Sequence, residues 1–279
     1  MNITRYSSRK SGTILATFQK ISQDLPNSHQ IALRLFKRDL KARYRQSVLG
    51  LFWAVFPPLL TAGLWIFLKS NKVANFDETA IPYPIFVFTG TMLWQIFAEA
   101  FNKPLQIISA NKSVLVKMNI PTESLILSGF YDTIFKTIIK VGLLFIIFLV
   151  FDISPTWNLA LFPIGIFGMV LSGFSFGIFI VPIGMLYDDI KQFVGIGLPF
   201  LMYLSPVVYP MHETGVVGII MKFNPLATLI NTSRNMFTGQ PVEEFWQFIL
   251  LVFFLFVILL LGLVVFKKSI PLIIERTGS

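Results

Sequence analysis

From residue 153 to residue 187 the chain runs through thirty-five positions without one charged side chain. No other feature constrains the fold as much. Soluble domains carry roughly 25% charged residues, distributed over a wet surface. An apolar run of this length belongs in a bilayer, where a helix satisfies every backbone N–H and C=O within itself. The run exceeds what one crossing needs, and its glycines and prolines predict a bent helix starting near Asn158. Five further stretches are apolar enough to cross: 49–68, 82–98, 125–151, 192–209 and 245–266. Pro57 and Pro58 predict a kink in the first of these, and 82–98 and 192–209 are short. Composition agrees, with 54% hydrophobic residues, 13% charged and thirty phenylalanines, and a mean hydropathy of +0.72. The expected fold class is an all-α membrane protein with six transmembrane helices (158–187 being the fourth). A 1–48 N-terminal segment precedes the 49–266 membrane domain, and a 267–279 tail follows it.

Charge orients the bundle. Six crossings put both ends on one side, and that side holds seventeen lysines and arginines against four on the other. The positive-inside bias therefore predicts both termini in the cytoplasm. The first twenty residues carry basic side chains but no apolar core of signal-peptide length. There is no cysteine, which excludes disulfides and cysteine metal sites.

Just before the first span, Leu33, Phe36, Leu40 and Tyr44 fall on one helical stripe. Arg34, Lys37, Arg38, Lys41, Arg43 and Arg45 occupy much of the remainder, with Asp39 the lone acid. Such a helix lies in the membrane plane with its cations near lipid phosphates; a solvated basic helix is the plainer alternative. The net charge of +9 is thereby assigned to membrane lipids and not to nucleic acid, for which no reader domain is present.

Two features interrupt the apolar pattern. Asp132, Lys136 and Lys140 share one face of the third span. They form either an ion relay or a paired, snorkelling cluster near the cytoplasmic end. Between the fifth and sixth spans, proline, glycine and charge cut a greasy segment into pieces too short to cross. A pair of re-entrant helices near 215–221 and 226–236 fits, because irregular backbone at membrane depth must be covered by protein or line a cavity.

The motifs of soluble chemistry are missing. No phosphate-cradling G-x-x-x-x-G-K-[ST] loop occurs, His29 and His212 are far apart, and no metal-ligand spacing is seen. Asp188-Asp189 reads as a polar turn in preference to a sugar-nucleotide metal site. No catalytic residue, metal or cofactor is expected in this chain, and energy for uphill transport would come from a partner or an ion gradient.

An ordered set of motifs resembles one family. "RDLKARYRQSVLGLFWAVFPPL" looks like the entry to the first span of ABC-2-type permeases that export polysaccharides such as O-antigen, capsule and teichoic acid. Arg38-Asp39-Leu40, Tyr44, Ser47, Leu49, Gly50 and Trp53 carry the likeness. Asn111, Leu115, Lys117 and Pro121 resemble the family's cytoplasmic loop. "YLSPVVYP" and "NPLATLINTSR" resemble its segment after the fifth span. The family's usual Arg-Asp after the fourth span is here Asp188-Asp189.

The resemblance implies a transport subunit, not an enzyme, in the cytoplasmic (inner) membrane. A second copy would complete the conduit. Two ATP-binding cassette subunits would bind ATP and Mg, and a lipid-linked polysaccharide would be the cargo. It also implies roles. Trp53, Phe56, Trp65, Phe200, Tyr203 and Tyr209 would line the channel, offering ring faces to the C–H faces of sugars. Leu105, Ile108, Asn111, Lys112, Leu115 and Lys117 would couple to the ATPase, the apolar pair and Lys112 sharing a short helix face. Tyr209, Pro210, Asn224, Pro225 and Arg234 would form the gate. An ion-driven transporter or flippase, an ABC-2 exporter of lipids or drugs, and a membrane-embedded glycan-transferring enzyme are the alternatives.

Overall fold

The computed structural model describes residues 14–45, 52–73, 78–112, 115, 121–152, 154–211 and 215–278. Ser47, Leu49, Gly50, Lys117 and His212 lie outside them. The described residues form nine α-helices and one 3-10 turn, with no strand among them. In chain order these are α1 (Ile14–Arg45), α2 (Phe52–Ser70), α3 (Tyr83–Ala110), α4 (Thr122–Val150), α5 (Phe162–Leu186), α6 (Asp189–Tyr203), α7 (Gly215–Phe223), α8 (Pro225–Thr238) and α9 (Phe245–Gly278); the 3-10 turn Trp157–Leu161 leads into α5.

Among the described residues, four helices are long and apolar enough to span a bilayer: Tyr83–Ala110, Thr122–Val150, Trp157–Leu186 and Phe245–Pro271. The chain is thus a multi-pass helical membrane protein. Of the other two expected spans, 192–209 is shorter than drawn from the sequence, and residues 49–51 of the first lie outside the described residues. In α2 the apolar stretch is Val55–Ser70, and α6 has 15 residues, a rise of about 22 Å against a hydrocarbon core of about 30 Å.

Burial sorts the helices into centre and periphery. In α3 and α5, 67% of the apolar stretch is buried, against 33% in α4 and 22% in α9. The α3–α5 pair is the most extensive helix contact, followed by α5–α9. Small residues permit it. A Cβ at Gly177 of α5 would strike the Phe101 carbonyl oxygen of α3, so the two backbones touch where glycine removes the side chain. A cross-helix hydrogen bond adds to this, with Ser175 Oγ donating to the Leu255 carbonyl of α9 at 2.8 Å. The outer row of α9, including Leu250, Phe253 and Phe254, is exposed, as a lipid-facing helix requires.

The basic helix is longer than its stripe suggested and begins at Ile14. Its contacts fix its direction. His29 and Phe36 both meet Tyr131, Phe36 also meets Phe135, and Arg43 pairs with Asp132. About 21 Å of α1 therefore lands on about 6 Å of α4. The helix crosses the bundle and does not run alongside it.

α3 also departs from expectation, continuing from the predicted end at 98 to Ala110. The stretch read as the start of a loop is its last three turns.

Candidate transport site

At the end of α6 the chain leaves helical geometry and turns through residues 203–208, of which 205–208 are buried. Backbone carbonyls there need donors, and each one has a donor. Tyr209 Oη donates to the Tyr203 carbonyl. Asn224 Nδ2 donates to Leu204 at 3.0 Å, and the Val207 N–H reaches Ser205 at 2.7 Å. Arg234 Nη2 donates to Pro206 at 2.6 Å and to Val207 at 3.0 Å. Tyr83 Oη of α3 donates to Val208 at 3.0 Å.

Local sequence explains the arrangement. Asn224 caps α8, accepting from the Leu226 N–H at 3.0 Å, while Pro225 occupies the first turn where its missing N–H costs nothing. Gly239 closes α8 in the left-handed region at φ +78°, and a Cβ there would strike Thr156. Arg234 is 2% exposed and lies 3.7 Å over the Phe86 ring. Its guanidinium reaches the turn only because Gly90 has no side chain. A Cβ at Gly90 would overlap both the Val207 oxygen and Nη2. Three of the predicted gate residues, Tyr209, Asn224 and Arg234, are thus bonded to one turn, and Pro225 is exposed at the start of α8. Pro210 is half-buried beside the turn. Tyr83, Phe86 and Gly90 carry as much of this geometry but lie in a span whose pattern marks them only as apolar.

The predicted channel aromatics lie on α2, α6 and the turn. Trp65 and Tyr203 meet edge to face at 6.2 Å, which brings α2 and α6 together near one end. Trp53 and Phe56 meet at 5.8 Å. Trp53 is 57% exposed and Phe200 65% exposed. The only substantial neighbour of α6 among the described residues is α5. Its Phe193, Ile196, Phe200 and Tyr203 form an uncovered face.

The charges of α4 are engaged in ion pairs. Asp132 accepts Arg43 of α1 at 2.9 Å and also binds Lys103 of α3. Lys140, fully buried, sits 2.7 Å from Glu99 of α3, with Lys136 at 4.0 Å from the same carboxylate. Glu123 holds Lys267 of α9 at 2.5 Å. Lys103, Glu99, Glu123 and Lys267 were not singled out in the sequence, because their partners are 29 to 144 positions away.

Of the predicted coupling residues, Leu105 and Ile108 are buried, Leu105 against Gly184. They pack the end of α3 into the bundle. Leu115 is also buried, while Asn111 and Lys112 are half-buried. The Asp188–Asp189 turn lies close by: Lys191 holds the Asp188 carboxyl below the usual carboxylate range through a 2.7 Å bond, with Lys112 adding to the effect. Along α1, Arg34, Lys37, Arg38, Lys41 and Arg45 are exposed, and Arg38 binds Asp39 at 2.8 Å. No group of three metal-ligating acidic or histidine side chains occurs among the described residues.

This geometry defines a class: a helical membrane protein with a buried polar turn, an uncovered aromatic face and a basic helix laid across it. The family is more specific. The sequence profile of the ABC-2 type transporter family matches residues 32–238, and the chain belongs to that family. It is 26% identical over 256 residues to an O-antigen export system permease protein of Klebsiella pneumoniae, covering 89% of this chain and 95% of that one. It is 21% identical over 248 residues to a polysialic acid transport protein of Escherichia coli (84% and 91% covered). It is 23% identical over 256 residues to a capsule polysaccharide export inner-membrane protein of Haemophilus influenzae (88% and 93%).

Proposed function

We propose that this chain is the membrane permease subunit of an ATP-driven exporter that carries a lipid-linked polysaccharide outward across the cytoplasmic membrane. The observation that carries the reading is the match over nearly the full length of relatives named for O-antigen, polysialic acid and capsule export. A shared glycan chemistry links those names.

In this reading α2 and α6 complete a six-span domain over 49–266, with 1–48 and 267–279 on the cytoplasmic side. The charge asymmetry supports that orientation. The crossing of α1 over residues 131–135 supports an interfacial helix, with the membrane surface near Asp132 in this reading. α7 and α8 are the re-entrant gate helices, which the full set of donors on the 203–208 turn supports. The uncovered α6 face and the open rings of α2 favour a second copy, with the conduit between the two. Two cassette ATPases dock below, binding ATP and Mg. They touch Asn111, Lys112 and the segment running to Thr122, and the exposed cations of α1. The ion-driven alternative loses its motive, because Asp132, Lys136 and Lys140 are held in ion pairs with α1 and α3.

Deleting the gene in its native strain and restoring it on a plasmid tests the reading. Surface polysaccharide should vanish on deletion while lipid-linked glycan accumulates inside, and both should reverse on restoration. Normal surface glycan in the deletion strain would refute it.

A further inference from the structure

A cleft lies away from the turn, where α8, the segment before α9 and the segment before α3 meet. It encloses about 240 Å³, lined by Ala80, Asn231, Asn235, Gln240, Glu243 and Glu244 among others. That is below the roughly 300–1,000 Å³ of drug-sized pockets, and suits one sugar ring better than a length of chain. Asn231 and Asn235 stand one turn apart on α8, so they share one side of it.

The lining has two properties. It contains carboxylates and amides but no cation, so it disfavours anions. Much of its hydrogen-bonding capacity is unused. Asn235 Nδ2 donates to the Pro241 carbonyl at 3.1 Å, which leaves its Oδ1 free to accept. Glu244 Oε2 is enclosed without a hydrogen-bond partner. That oxygen is closed to a ligand as it is to water, so Glu244, which lines the cleft, would accept through its other oxygen. The cleft is also braced: Asn158 Nδ2 holds the Gln240 carbonyl at 2.8 Å, tying its floor to the 3-10 turn before α5.

We propose that this cleft is a carbohydrate subsite on the outer side of the membrane, binding a neutral sugar unit of the departing chain through its vicinal hydroxyls. Hydroxyls both donate and accept, which matches carboxylates beside amides. The inference rests on the exporter reading and on its orientation. It adds a site outside the aromatic conduit, at which the emerging chain would be held against backsliding.

The test uses the full chain in nanodiscs, with short oligosaccharides cut from the source strain's own surface polysaccharide and, separately, Ca²⁺ alone. The oligosaccharides should bind the unaltered chain. Asn231→Ala and Glu244→Gln should each weaken binding about five- to tenfold, the loss of one hydrogen bond, and Leu250→Ala, on the outer row of α9, should leave it unchanged. Glu243→Gln, at an exposed position, serves as a second variant should Glu244→Gln fail to fold. Three results overturn the proposal: no oligosaccharide binding, binding indifferent to all three cleft substitutions, or Ca²⁺ binding that the substitutions abolish while oligosaccharides do not bind. Glycan export by the restored deletion strain separates the two claims. If export requires the chain but the cleft is silent, only the subsite fails.

Discussion

Arg234 works through carbonyls and a ring, not through a carboxylate. Removing it by Arg234→Met leaves the Pro206 and Val207 oxygens without their donor, at about 1–3 kcal/mol for each buried orphan. The melting temperature in detergent should fall clearly, and Arg234→Lys should recover only part, since an ammonium lacks the flat guanidinium that lies over the Phe86 ring. Gly90→Ala should do comparable damage from the other side, because its methyl would occupy the space of Nη2 and the Val207 oxygen. Gly142→Ala, with nothing within 4 Å, should leave melting unchanged or slightly raised. Equal melting for the two alanine variants would contradict the packing described. Asp132→Asn should cost about 1–3 kcal/mol, less than for a fully enclosed pair because Arg43 stays partly open to solvent. A double-mutant cycle with Arg43→Met should show coupling between the two positions. Additive effects would mean that the pair does not tie α1 to α4. In the sequence, Asn224, Pro225 and Arg234 were reached through the family resemblance of "NPLATLINTSR". Their partners Tyr83, Phe86 and Gly90 were not, because a tyrosine or glycine in a span looks the same whether it faces lipid or holds a turn.

At the level of helices, hydropathy alone revealed the long elements and the all-α class. Proline and glycine bracketed α7 and α8, whose observed bounds, Gly215–Phe223 and Pro225–Thr238, fall within two residues of those read from the sequence. The end of α3 was hidden. Asn102, Lys103 and Gln106 look like loop residues, yet Asn102 folds back on the Ala98 carbonyl and Lys103 is taken up by Asp132, so the helix continues. The crossing of α1 over α4 was equally invisible, since the contacts at 29, 36 and 43 depend on residues about a hundred positions away. Because the chain has no cysteine, single introduced cysteines report topology without background. Lys72→Cys and Glu243→Cys should react with an impermeant maleimide on intact spheroplasts. Ala110→Cys and Tyr187→Cys should react only after permeabilisation. Labelling of Tyr187→Cys from outside would remove α6 as a crossing, and reversal of both sets would overturn the orientation.

For the whole molecule, the account joins a bundle centred on α3 and α5 to an open aromatic face on α2 and α6. The exporter reading places a second copy against part of that face. The purified chain, crosslinked through cysteines placed at Ile196 or Phe193, should therefore give dimers within the membrane; monomers at both positions would place the conduit elsewhere. The central claim is transport of a glycan driven by a separate ATPase. Inside-out membrane vesicles, which present the cytoplasmic face to the medium, measure it directly. Radiolabelled lipid-linked glycan should move to the vesicle lumen when ATP is added, only when this chain and its ATPase partner are both present, and not with a non-hydrolysable ATP analogue. Lumenal delivery that proceeds without ATP on an ion gradient, or that persists when the ATPase is absent, would contradict the account.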